Sequence, residues 1–73
     1  MSLSDADIAD LAREVVDQRD PTLDIRIAPL GQDDPYRLGA EAWTVSAGGR
    51  TSYLRSSMTR RQALDQLRAD LVS

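Results

Sequence analysis

Apolar side chains recur along this chain with two different periods. Ile8, Leu11, Ala12, Val15 and Val16 fall at spacings of three and four, which draws one apolar stripe down a helix over Asp5–Arg19. Ser4 ahead of the stripe is a good N-cap, and Asp5 and Asp7 suit the positive end of the helix dipole. Leu3 and Ile8 flank that cap at the spacing of a hydrophobic staple. Arg19-Asp20-Pro21 ends the helix, because a residue before proline is pushed out of the α region.

The period then drops to two. Leu23, Ile25 and Ile27 alternate with Asp24, Arg26 and Ala28, a strand over 23–28 with one buried face and one wet face, closed by Pro29. Residues 30–35 carry Gly31 and Gln-Asp-Asp-Pro, a turn by composition. A second strand is expected over 36–47, strongest from Ala42–Ala47, with Gly39 marking a bulge or a late start to pairing. Gly48-Gly49 makes a two-residue hairpin turn. It sets Ala47 opposite Arg50, Val45 opposite Ser52 and Trp43 opposite Leu54, so Trp43, Val45 and Leu54 face the core. Thr44 then faces Tyr53 and Ala42 faces Arg55 on the other side of the sheet.

A helix over 60–72 closes the chain. Thr59 caps it, with Gln62 completing a capping box, and Leu64, Leu67 and Leu71 form its inner stripe beside Ala63. The order helix, strand, strand, strand, helix predicts an α+β fold (α-β-β-β-α) over residues 1–73. It is a three-stranded antiparallel meander with two helices packed on one face, forming one domain.

Composition narrows the chemistry. There is no Cys and no His among the 73 residues, which removes disulfides, thiolate metal sites and the commonest general base. Asp33-Asp34 is not part of a calcium-loop motif, so no metal and no cofactor is implied. Catalysis would have to rest on carboxylates in a cleft, for which so short a chain has little room, and the expectation is that the protein is not an enzyme. No apolar run approaches the ~20 residues that span a bilayer, and the acidic start does not read as a signal peptide. A cytoplasmic location away from membranes is the expectation.

Charge is split along the chain. Residues 1–34 hold nine carboxylates against three arginines, a balance of −6, and residues 35–73 hold six arginines against three carboxylates, a balance of +3. The net of −3 thus conceals a dipole, expected to place opposite signs on separate surfaces and to steer partners. Asp7, Asp10, Glu14 and Asp17 form an acidic face suited to a basic protein surface. Arg55, Thr59, Arg60 and Arg61 gather at a strand-to-helix junction, where free N–H groups and the dipole favour an anion or phosphate. Tyr36, Arg37 and Tyr53 are candidates for an interface on the wet side of the sheet, because their positions are less buried than that of Trp43. Trp43 reads as core, with a self-association anchor as the alternative.

The element order, with Thr59, Arg60, Arg61 and Ala63 opening the last helix, is similar to double-stranded RNA-binding domains. That resemblance implies phosphate contacts at these residues. The chain departs from the family in two respects: Gly48-Gly49 is too short for the loop that enters the minor groove, and the family's run of lysines is missing. The leading expectation is a small protein-interaction module (an adaptor, inhibitor or subunit). It would bind through its charged surfaces and exposed sheet face, or self-associate as a homodimer through that face or an edge strand. The alternative is RNA or DNA binding through the basic junction, which would be strongly salt-dependent.

Overall fold

The computed structural model describes residues 2–72. Helix α1 (Asp5–Arg19) begins at a capping box. The Ser4 hydroxyl accepts the Asp7 N–H at 3.3 Å, and an Asp7 carboxylate oxygen accepts both the Ser4 N–H at 3.0 Å and its hydroxyl at 3.1 Å. Leu3 is buried beside Ile8, and its N–H donates to the Ser56 carbonyl, so the chain start is tied to the end of the third strand. The stripe Ile8, Leu11, Ala12, Val15 and Val16 is buried along its whole length.

Three strands follow in the order β1-β2-β3: β1 (Ile25–Pro29), β2 (Ala42–Ala47) and β3 (Arg50–Arg55). Both pairs are antiparallel. The hairpin register is the one that Gly48-Gly49 predicts, from Ala47 opposite Arg50 to Ala42 opposite Arg55. Both glycines have positive φ, as a type I′ turn requires. Helix α2 (Arg60–Leu67) opens with the Thr59–Gln62 capping box and continues as a π-helical turn, Arg68–Val72.

Both helices pack on one face of the sheet. They cover Trp43, Val45, Ala47 and Leu54 with Ile8, Val15, Val16, Ala63, Leu67 and Leu71, which form one core. The architecture is therefore the α+β meander that the periodicities predict.

Three boundaries differ from the sequence reading. The first strand runs from Ile25 to Pro29 rather than over 23–28. An Asp20 carboxylate oxygen accepts both the Thr22 N–H and its hydroxyl, holding Leu23 in the preceding turn. Residues 36–41 are not strand. Asp34 accepts the Tyr36 N–H at 2.9 Å and caps a short 3-10 helix, Pro35–Arg37, and Leu38 and Gly39 then take positive φ (50° and 82°). An extended path cannot run through two left-handed residues, so pairing starts only at Ala42. The expected helix over 60–72 is α-helical only as far as Leu67. The wider turn after it still carries Leu71 into the core.

Candidate functional site

With both helices on one side, the other side of the sheet is open. Its rows follow from the two registers: Arg26, Ser46 and Thr51; Ala28, Thr44 and Tyr53; and Ala42 and Arg55, a row that is covered, with Ala42 buried and Arg55 half-buried. Most of these side chains are short. Ser46 and Thr51 share a hydroxyl–hydroxyl contact at 3.2 Å, and the Thr44 hydroxyl reaches the Ala28 carbonyl at 3.5 Å. The face is therefore flat and polar, and Tyr53 stands out of it at 45% exposure.

Tyr53 is held in place. The 3-10 turn folds Tyr36 over this end of the sheet, where the two rings meet edge-on with centroids 5.5 Å apart and planes at 67°. The Tyr36 hydroxyl donates to the Tyr53 carbonyl at 2.9 Å. The Arg55 guanidinium lies over the Tyr36 ring at 4.8 Å, which keeps its charge near the same patch. The Arg55 Nε is buried with no hydrogen-bond partner among the described residues. Two aromatics and one arginine thus form a rigid corner of an otherwise low-relief face.

Arg37, which the sequence groups with the tyrosines, turns back on its own loop. Its Nε–H donates to the Ala40 carbonyl at 2.9 Å, and it lines a small hollow with Asp5, Glu41 and Trp43. Trp43 is buried, and its indole N–H donates to an Asp5 carboxylate oxygen at 2.6 Å.

The basic junction is divided by its own helix. Arg55 lies along one flank of α2 with Met58, Gln62 and Gln66. Arg60, Arg61 and Arg68 lie along the other flank, in a groove against Leu11 and Glu14 of α1. The Thr59 hydroxyl accepts the Gln62 N–H at 3.1 Å and the Thr59 N–H donates to the Gln62 side chain at 2.9 Å, so the cap already occupies donors that an anion would use. Arg60 donates to an Asp7 carboxylate oxygen at 2.8 Å.

That last contact changes the reading of the charge split. The acidic and basic helices stand side by side, so opposite signs along the sequence meet across α1 and α2 rather than occupying separate surfaces. The acidic face is also interrupted. Asp7 is engaged by Ser4 and Arg60, Asp17 pairs with Arg13 at 3.1 Å, and Glu14 borders the groove that holds Arg61. Asp10 is exposed. The Asp7 carboxyl is held below its ordinary value of 3.8 by the Ser4 backbone N–H, then by the Ser4 hydroxyl, with Arg60 adding to the effect.

Two features lay outside the sequence reading. One is the set of small residues Ala28, Thr44, Ser46 and Thr51 that makes the open face flat; the alternation of the strands carried that signal. The other is Asp70, whose carboxylate accepts the Ser52 hydroxyl at 2.7 Å and the Gln66 amide at 2.6 Å, clipping the π-helical turn to β3. No periodicity announces that contact.

No family model, curated protein or solved structure matches this chain. Among the described residues, no helix is long and apolar enough to cross a membrane.

Proposed function

We propose that the chain is a non-enzymatic protein-interaction module that docks a protein partner on the open face of its sheet. The observation behind this reading is the corner built by Tyr36, Tyr53 and Arg55 on that face. Tyrosine and arginine are the side chains most often found at interface hot spots, and such residues work best when they are rigid before binding. The small residues beside them let a partner approach closely. A domain with both helices on one side leaves this face available, and a partner there would cover Tyr53 and the short polar side chains beside it.

Nucleic-acid binding through Arg55, Thr59, Arg60 and Arg61 has less behind it. Arg60 is engaged by Asp7, Thr59 by its cap, and Arg55 sits on the opposite flank of α2.

Affinity capture from cell extract, with retained protein and nucleic acid both quantified, tests the choice. Retention of a discrete protein should be lost with Thr44→Arg and with Tyr53→Ala, and kept with Asp10→Asn on the helix side. Equal retention by wild type and Thr44→Arg would remove the face from consideration. Salt-sensitive retention of nucleic acid, lost with Arg60→Glu and Arg61→Glu together, would favour the basic junction instead.

A further inference from the structure

The sheet has two edges, and they are treated differently. The Leu30 N–H donates to the Ala42 carbonyl at 2.9 Å, which fixes the phase of the β1–β2 ladder. Arg26 and Ala28 turn their backbone groups toward β2, so Ile25, Ile27 and Pro29 turn theirs outward. At the opposite edge, two outward carbonyls of β3 are engaged: that of Tyr53 accepts from the Tyr36 hydroxyl and that of Arg55 accepts from the Met58 N–H, and the π-helical turn packs near the strand. Among the described residues nothing comparable covers β1. The outward N–H and C=O groups of Ile25 and Ile27 have no hydrogen-bond partner among the described residues, and both side chains are only half-buried. An open edge of this kind is a template for another strand.

The side chains of β1 say which strand. We propose that β1 pairs antiparallel with β1 of a second copy of this chain, with Ile25 opposite the partner's Ile25. This register sets Asp24 opposite the partner's Arg26 and Arg26 opposite the partner's Asp24, two attractive pairs on the open face. Asp24 and Arg26 are both exposed and line one hollow beside the Gly48-Gly49 turn. Neither belongs to the two ion pairs seen among the described residues, so both are available.

Neighbouring registers are worse. The backbone phase allows only shifts that keep Ile25 and Ile27 on the pairing edge. One such shift opposes Arg26 to the partner's Arg26, and the shift the other way opposes Asp24 to the partner's Asp24. Like charges directly opposite are unfavourable. A further shift, centred on Ile27, sets Ile25 against the partner's Pro29, which has no N–H to give.

In the favoured register, Pro21 and Pro29 fall at the two ends of the ladder and stop it there. Ile25 exchanges both backbone hydrogen bonds with the partner's Ile25. At each end the Ile27 N–H reaches the partner's Leu23 carbonyl, while the Leu23 N–H stays with Asp20. The half-buried face of Ile25 and Ile27 gains an apolar neighbour, and the two meanders join into one continuous sheet with all helices on the same side. The ladder runs along the β1 edge, at the opposite edge of the sheet from the corner of Tyr36, Tyr53 and Arg55 beside β3, and the proposal does not depend on what docks at that corner.

A single short ladder belongs to the weak class of interface, below about 1,200 Å². Sedimentation velocity from about 10 µM to 1 mM should therefore show a concentration-dependent shift from monomer to dimer. Asp24→Arg and Arg26→Asp should each weaken the dimer by roughly tenfold, because either one turns two attractive pairs into two repulsive ones. The double exchange should restore it to within about threefold of wild type. Amide exchange at Ile25 and Ile27 should slow as wild-type concentration rises. A chain that stays monomeric across that range, single reversals without effect, or a double exchange no better than the singles would each overturn the proposal. Circular dichroism of the exposed-site variants establishes that the fold persists.

Discussion

Replacing Asp5 by alanine should destabilise the fold well beyond what a surface substitution normally does. Asp5 opens α1, and its carboxylate accepts the Trp43 indole N–H at 2.6 Å from β2, where Trp43 is only 3% exposed. Hydrogen bonds to a charged group contribute about 1.5–3 kcal/mol, and removing the acceptor leaves a donor in a place that water reaches poorly. The same carboxylate sits at the positive end of the helix dipole, which adds about 0.3–1 kcal/mol at an exposed position. Asp5 itself is solvent-exposed, so the lower half of the combined range applies, about 2 kcal/mol. A 73-residue domain is expected to hold roughly 4–11 kcal/mol in all, so this one contact is a considerable share. With an m value of about 1 kcal/mol/M, the urea midpoint should fall by about 2 M. Trp43 is the lone tryptophan, so its fluorescence reports both the unfolding transition and the loss of the neighbouring charge. A double-mutant cycle with Trp43→Phe, followed by circular dichroism, isolates the pair and should return a coupling of at least about 1 kcal/mol. A midpoint change worth less than about 0.5 kcal/mol, or a coupling near zero, would refute the reasoning.

The two turn glycines should respond unequally. A Cβ on Gly48 would meet the Arg19 Nη1 at 2.8 Å and Leu23 Cδ1 at 3.1 Å at a φ of +58°, whereas Gly49 has open space around it. Gly49 still holds a φ of +80°, so Gly49→Ala should cost about 1 kcal/mol from backbone strain alone, and Gly48→Ala should cost more, about 2 kcal/mol, because its Cβ also displaces neighbours, as thermal unfolding of the two variants would show. Acid should weaken the fold in a defined window. Asp7 is held below 3.8 chiefly by the Ser4 backbone N–H, and Asp20 is held below 3.8 chiefly by the Thr22 hydroxyl. Groups lowered in the folded state stabilise it above their unfolded value and lose that contribution as pH falls through the folded one. The thermal midpoint should be level from pH 7 to about 5 and decline below about 4. Asp7→Asn should flatten that decline, and an unchanged acid limb in this variant would remove Asp7 from the account.

Much of this protein is legible in its sequence. The stripe Ile8, Leu11, Ala12, Val15 and Val16 has a spacing that only a helix can bring to one side, and Ser4 and Thr59 mark where the two helices begin. Gly48-Gly49 sets the hairpin register because two residues of positive φ leave the flanking strands one way to pair, and that register decides which side chains share the open face with Tyr53. These are local constraints, settled by backbone sterics and period. The stretch over 36–41 read as strand because its side chains do not forbid one. What excludes it is the left-handed pair Leu38 and Gly39 behind the Asp34 cap, a backbone choice that side-chain pattern does not encode.

Tertiary structure decided the contacts between distant positions. Asp5 reaches Trp43 across 38 residues and Arg60 reaches Asp7 across 53, because both helices lie on the same face and their starts come together. That placement turns a charge imbalance along the chain into a seam between neighbours. It also divides Arg55 from Arg60 and Arg61, which are close in sequence but lie on opposite flanks of α2. Sequence determines which residues share a side of one element. Which elements then stand beside each other is set by burying every apolar stripe at once, and the polar partners follow from that packing.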